Sequence, residues 1–315
     1  MKRSILNFLR SNSGFIILLA VGLPLTILSP EFLSGSNLLT VALQVSMIAI
    51  TAIGMTFTLI TGGVDLSVGS VAALTGALAA GLATRNELGT YPSMFLALLA
   101  AAAVGGLNAA LIVWGRIPPF VATLATMAAM RGLTLVYTNG KPISGLDEQF
   151  TFWASNLGKI PVPIFVLLVV ALVGYVILHR SLIGNYIFAV GGNEETSRLA
   201  GISSTKVKFT VYIISALSAG ITGLLLTARL WSAQPNSGTG LELDGIAAAV
   251  LGGASLSGGA GSVVGAVTGT FIIGILANGL NLLEVPSYNQ QVIKGLVFIV
   301  AVVLDYILKR RLKTE

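Results

Sequence analysis

Twelve acidic residues, one histidine (His179) and no cysteine are all that the 315-residue chain offers for acid–base, nucleophilic or metal chemistry. Disulfides, thiol catalysis, zinc clusters and most haem or iron–sulfur ligation are thereby excluded. No residue set resembles a hydrolytic triad, a paired-carboxylate glycosidase site or a metal cluster. No G-x-x-x-x-G-K-[ST] occurs, so the chain needs no cofactor of its own and any nucleotide chemistry belongs to a partner. What remains is a handful of polar residues within very apolar sequence.

The sharpest of these segments is GGVDLSVGS at 62–70. Adjacent glycines loosen the backbone between two apolar stretches, and Asp65 then stands next to the membrane beside Ser67 and Ser70. A carboxylate in hydrocarbon is costly, so it should face water, a partner group or a cavity. Two compatible readings are open: a broken-helix element lining a passage, or an Asp65 that caps the following helix through the N–H of Ser67 or Val68. Gln44 and Arg131 are further polar groups inside apolar stretches. So are Asn278 and Asn281 of NGLNLLEVPSYNQQ, placed to bond a polyol in transit or a neighbouring helix. Gln44, Asp65, Ser67, Asn278 and Asn281 are the candidate pathway residues.

A second segment is AVGGNEETSRLAGIS at 189–203. Asn193 can cap a short helix whose first turn carries Glu194 and Glu195, which suit a helix N-terminus, and Gly201 ends it. Leu199 and Ala200 on its surface fit docking into a groove on another protein; a solvated loop is the plainer alternative. In a third, SAQPNSGTGLELDGIAAAVLGG at 232–253, Glu242 and Asp244 mark the entry to a short apolar run. They are available to contact an extracytoplasmic partner, to bond sugar hydroxyls or to cap the helix, and capping is the favoured role of Asp244. Gly261, Gly265 and Gly269, with Ala266 beside them, leave a smooth strip for close helix contact.

The elements that must position these residues are membrane helices. The chain is 55% hydrophobic and only 10% charged, with a mean hydropathy of +0.91, where a soluble protein carries roughly a quarter charged residues. A spanning helix needs about 20 apolar residues. Candidate spans are 14–30, 38–60, 66–84, 92–114, 118–137, 160–179, 208–228, 243–256, 262–283 and 289–308. The expected fold is all-α: a single domain over 1–315, a bundle of about ten membrane helices with broken or re-entrant segments. Residues 245–283 carry no charge, too long a run for one helix, and Gly252, Gly253, Gly258, Gly259 and Gly261 break it. The run 243–256 is short enough to be re-entrant. The apolar run from Phe15 to Leu28 has no small-x-small cleavage site after it and reads as a retained first helix.

Basic residues set the orientation. Most of the 18 fall at the termini and on one set of alternating connections: Lys2, Arg3, Arg10, Arg116, Arg180, Arg198, Lys206, Lys208, Lys309, Arg310, Arg311 and Lys313. Arg85, Arg131, Lys141, Lys159, Arg229 and Lys294 lie on the other side. The bias puts both termini in the cytoplasm, and the net charge of +6 reflects this rather than nucleic-acid binding. An even number of spans follows, eight or ten. An internal echo also appears: GGVDLSVG at 62–69 and GGASLSGG at 252–259 share five of eight residues. Transporters are often built from such repeats, with the path at the repeat interface; chance likeness of Gly/Ser-rich turns is the alternative.

TGGVDLSVGS, AVGGNEETSRLAGIS, SAQPNSGTGLELDGIAAAVLGGASLSGGAGSVVGA and NGLNLLEVPSYNQQVIKG together resemble the permease subunits of bacterial ATP-binding-cassette importers for ribose and related monosaccharides. The likeness covers roughly residues 44–305 and is closest to the ribose branch. It implies a multi-pass protein of the cytoplasmic (inner) membrane and two permease copies forming the pathway. It also implies a separate ATPase subunit that uses Mg-ATP and an extracytoplasmic sugar-binding protein. The resemblance gives Glu194, Glu195, Arg198, Leu199, Ala200 and Gly201 the role of the loop that receives the ATPase. It supplies no residue-level sugar site. An ion-coupled secondary carrier is the main alternative and would draw on Asp65 or Asp305. A membrane enzyme acting on lipid-linked sugars would need a catalytic carboxylate pair or metal ligands. A permease for another solute, branched-chain amino acids above all, is the nearest relative to exclude.

Overall fold

The computed structural model describes residues 13–293 together with 295, 296, 299 and 303. Helix α1 (Ser13–Leu28) leads through a 3-10 turn, Pro30–Leu33, into α2 (Gly35–Ile60), whose cap Ser34 accepts from the Asn37 N–H. Next come α3 (Val68–Thr84), α4 (Thr90–Val113) and α5 (Pro119–Thr138). The connection from 139 to 161 holds β1 (Ile143–Ser144), the single turn α6 (Glu148–Thr151), β2 (Asn156–Leu157) and β3 (Ile160–Pro161). Then follow α7 (Val162–Arg180), α8 (Leu182–Gly192), α9 (Glu194–Leu199), α10 (Ser204–Arg229), β4 (Ser232–Ala233), α11 (Leu241–Leu251) and α12 (Val263–Leu282). Residues 287–293 are again helical. The strands are two-residue pairings only: β1 with β4, and β2 with β3, both antiparallel.

Among the described residues, α2, α4, α5, α7, α10 and α12 are long and apolar enough to cross a membrane. The expected spans agree with these and with α1 and α3 to within a few residues. The 17 residues of α3 rise about 26 Å, slightly short of a hydrocarbon core of about 30 Å. At 11 residues, α11 rises about 16 Å and cannot cross; this corrects the expected span 243–256, whose helix stops at Leu251 before Gly252 and Gly253. Most of the expected last span, 289–308, and Asp305 with it, lie outside the described residues. One element is unexpected: α8, an apolar helix that restarts after Ser181, whose side chain accepts from the Gly184 N–H.

Two helices form the centre. From Ser46 to Ile60, α2 is buried on every side except at Ile48, which is half-buried. Helix α10 packs against α2, α3 and α4. The contacts are close because glycine stands where they touch. A methyl group at Gly223 of α10 would collide with the Ala72 carbonyl, and one at Gly54 would stand 2.7 Å from the Ser218 Cβ. This is the small-residue packing that replaces hydrophobic drive between helices in lipid. Buried hydroxyls are satisfied within their own helices, Thr56 to the Ala52 carbonyl, Thr75 to Val71, Thr134 to Met130 and Thr270 to Ala266. Others bond across, as Thr222 does to Thr51 at 3.0 Å and to the Met47 carbonyl at 3.1 Å. The outer face of α7 is the reverse, with Leu168, Val169, Leu172 and Val173 more than half exposed, as lipid-facing residues are.

Adjacent glycines on α4 test the packing. A methyl at Gly105 would stand 2.5 Å from the Tyr212 carbonyl oxygen, whereas one at Gly106 meets nothing within 4 Å. Both gain the same helix propensity. Gly105→Ala is expected to destabilise the detergent-solubilised protein by about 1–3 kcal/mol, seen as a lower melting temperature, and Gly106→Ala to leave it unchanged or slightly raised. Equal melting of the two would refute the close α4–α10 contact.

Candidate functional site

The two echoed segments fold alike and meet. Helix α2 ends in a paired turn: Gly63 N–H bonds to the Thr58 carbonyl and Gly62 N–H to Leu59, with Gly62 left-handed at φ +78°. Helix α11 ends the same way, Ala254 N–H to Ala249 and Gly253 N–H to Val250, with Gly253 at φ +91°. Both are Schellman motifs, which satisfy carbonyls a helix end would otherwise leave bare. The Asp65 carboxylate then accepts from the Ser67 N–H at 3.0 Å, and at the matching place the Ser255 hydroxyl accepts from the Ser257 N–H at 3.2 Å. The echo is therefore structural, with a slip of one residue: the helix-ending left-handed glycine is the first of its pair at Gly62 and the second at Gly253. The Gly259 N–H donates to the Ile60 carbonyl at 2.8 Å, joining one loop directly to the end of α2.

Asp65 is the only Asp, Glu, Lys or Arg buried among the described residues. Three donors surround it: the Ser67 N–H, the Ser67 hydroxyl at 2.6 Å and the Ser215 hydroxyl of α10 at 2.8 Å. The Asn108 amide of α4 donates in turn to the Ser67 hydroxyl at 2.9 Å. The cluster ties the 61–67 loop, α4 and α10 together, and hydrogen bonding replaces the water that a buried carboxylate loses. Asn108 Oδ1 and the Tyr212 hydroxyl, which lies against Gly63, are buried with no hydrogen-bond partner among the described residues. Ser215, Asn108 and Tyr212 escaped the sequence reading. Their one signal was polarity within an apolar run.

The other candidate residues divide between surface and packing. Asn193 caps α9 by accepting from the Thr196 N–H at 2.8 Å, and Gly201 follows at φ +81°. Glu194 pairs with Lys208 of α10 at 2.7 Å, Glu195 faces Arg198 at 3.7 Å, Ala200 is exposed and Leu199 is 80% exposed. Beside α9 lies a cleft of about 610 Å³, lined among others by Arg116, Pro118, Arg198, Ile202 and Lys208. Asn278 spends its amide on Asn37 of α2, in a reciprocal pair at 2.8 and 2.9 Å. Asn281 is exposed and accepts from Gln290, and Gln44 is half-buried on α2. The expected N-cap role of Asp244 does not hold. Gly240, left-handed at φ +86°, starts α11 earlier than the sequence suggests and leaves Asp244 in the fourth helical position. Glu242 instead accepts from the Gly240 N–H at 3.2 Å, while Arg131 donates to the Pro235 and Ser237 carbonyls at 2.8 and 2.9 Å. Among the described residues no group of His, Cys, Asp and Glu could hold a metal.

Removing one donor to the buried carboxylate should cost more than its geometry suggests. Ser215→Ala leaves Asp65 Oδ2 without this bond and is expected to destabilise the protein by about 1–3 kcal/mol. Asp65→Asn with Ser215 intact should cost less, because the neutral amide is cheaper to bury. Thermal unfolding in detergent reads both, and a Ser215→Ala variant as stable as its parent would contradict the assigned bond.

Comparison with known proteins places the whole arrangement. The profile of the family described as "Branched-chain amino acid transport system / permease component" matches residues 37–302. The chain is 43% identical over 303 residues to the ribose import permease protein RbsC of Escherichia coli (strain K12), covering 95% of this chain and 94% of that one. Identity is 45% over 295 residues with the ribose import permease protein of Bacillus subtilis (strain 168), covering 93% and 90%. With the D-allose transport system permease protein AlsC of Escherichia coli (strain K12) it is 37% over 285 residues, covering 90% and 87%. No solved structure matches. With its apolar spans, broken helices and end-to-end likeness to these proteins, the chain belongs to the family of multi-pass membrane permease components of transport systems.

Proposed function

We propose that this chain is the membrane-spanning subunit of an ATP-driven, binding-protein-dependent importer of ribose or a closely related monosaccharide. The observation that carries the reading is identity of 43–45% with ribose import permeases along nearly the whole chain, against 37% with the D-allose permease. The working unit pairs two copies of the chain, one ATPase partner on the cytoplasmic face and a sugar-binding protein outside, in a bacterial inner membrane. The basic residues Arg116, Arg180, Arg198, Lys206 and Lys208 cluster at the end of the bundle that carries α9, which favours that end as cytoplasmic.

The solvent-facing α9 is the docking element. It is capped at both ends, anchored to α10 through Glu194 and Lys208, and offers Leu199 with Ala200 and Arg198 to a groove on the ATPase. ATP binding closes the partner's nucleotide sites, and rigid helices carry that movement into the bundle, so that the path opens alternately to each side. A neutral sugar needs hydroxyl and amide partners rather than strong charge, in keeping with spans nearly free of charge. The unpaired Asn108 Oδ1 and Tyr212 hydroxyl add two such partners to the path residues Gln44, Asp65 and Ser67. Glu242, which lies against Gly69, and Asp244, both in the first turn of α11, are the candidate contacts for the binding protein.

Reconstitution in vesicles with the cognate ATPase and binding protein tests the reading. ATP-dependent uptake of labelled ribose, competed by excess ribose and indifferent to ionophore, is the expected result. Uptake by this chain alone that an ionophore abolishes would instead establish an ion-coupled carrier. For docking, Leu199→Glu is expected to reduce ATPase co-purification at least tenfold while the chain stays monodisperse in detergent, since the side chain is already in solvent. Undiminished co-purification would remove α9 from the docking site.

A further inference from the structure

The C-terminal end of α8 holds two neighbouring glycines with opposite surroundings. A methyl group at Gly191 would collide with the Ile60 carbonyl, the last residue of α2, and would stand 2.9 Å from the Gly259 nitrogen. A methyl group at Gly192 meets nothing within 4 Å. The contact is three-way. From the 252–262 loop, a methyl at Gly258 would stand 2.7 Å from the Gly191 carbonyl oxygen and 3.1 Å from the Gly62 nitrogen. The Gly259 N–H already holds the Ile60 carbonyl at 2.8 Å. Backbone therefore meets backbone at one point, with no side chain between, from three segments far apart in sequence. Two are the echoed loops after α2 and α11. The third leads, through the Asn193 cap alone, into α9.

We propose that Gly191 is a positioning residue for transport: the point at which displacement of α9 reaches both echoed loops at once. The inference rests on α9 being the docking element. Flexible side chains at this place would absorb a small displacement by changing rotamer. Directly apposed backbones transmit it, because packed contacts shift as units rather than deform. Asp65 lies three residues beyond Gly62 in one loop, and Ser255 lies three before Gly258 in the other, so both hydrogen-bonded turns are coupled to α8. Gly191 is thus required for keeping three backbones in register, and Gly192 is not.

The neighbouring glycines supply the test. Gly191→Ala and Gly192→Ala are placed in the full complex with ATPase and binding protein, and three quantities are read: ATPase co-purification, ATP hydrolysis and ribose transported per ATP. Gly192→Ala should match the parent in all three. Gly191→Ala should retain co-purification and hydrolysis while transport per ATP falls at least tenfold. Should Gly191→Ala fail to assemble, a second matched pair decides. Gly258→Asn crowds the same point from the other loop, and Gly253→Asn enters open space; both glycines are left-handed, at φ +84° and +91°, a conformation asparagine tolerates. The proposal predicts loss of transport per ATP for Gly258→Asn alone. Parental transport per ATP in an assembled Gly191→Ala or Gly258→Asn complex overturns it, as does equal loss in both members of a pair. Failure of docking at α9 would show separately, as co-purification undisturbed by Leu199→Glu.

Discussion

Backbone hydrogen bonding governs this molecule more than any side chain does. In hydrocarbon an unpaired N–H or C=O costs several kcal/mol, so irregular backbone survives at membrane depth only where protein satisfies it. The chain interrupts its helices at 61–67 and again at 252–262, and it answers the constraint twice over. Each interruption closes its own helix end with a Schellman turn and a side-chain-to-backbone bond. One then lends an N–H to the other's helix through Gly259 and Ile60. The central place of α2 and α10 follows, because α2 ends in one interruption and accepts from the other, and α10 supplies Ser215 to the buried Asp65 carboxylate.

Much of this was legible in the sequence, and physical reasons separate what was from what was not. Spans announce themselves because lipid demands long uncharged runs, and α2, α4, α5, α7, α10 and α12 all lie where hydropathy puts them. The α9 helix was readable from Asn193, Glu194, Glu195 and Gly201, since capping is a local interaction. The echo was visible too, because each loop needs glycine to end its helix and a short acceptor two residues before a serine, though the helix-ending glycine differs by one place between them.

Partners distant in the chain were not legible. Nothing near Asn278 indicates that its amide closes a reciprocal pair with Asn37, so a packing residue looked equally like a pathway residue. Asp244 was misplaced because two left-handed glycines, Gly238 and Gly240, start α11 before its apolar run begins. The glycines at 191 and 192 look identical on paper. The carbonyl of Ile60 and the nitrogen of Gly259, both distant in the chain, tell them apart.

The glycine-lined contacts around α10 have a consequence for motion. Interlocked side chains resist shear as meshed gears do, since every step must lift one row over another. Where α10 meets α2, α3 and α4 the surfaces are instead smooth at Gly54, Gly76, Gly105 and Gly223. Such a helix is held at short range on several sides by backbone and small side chains, so a displacement of it is passed to its neighbours rather than taken up in rotamers. Its grip comes from dispersion and a few hydroxyl bonds such as that between Thr51 and Thr222. A single added methyl in that seam would part the helices, so that the freedom to move and the stability of the bundle would be lost together.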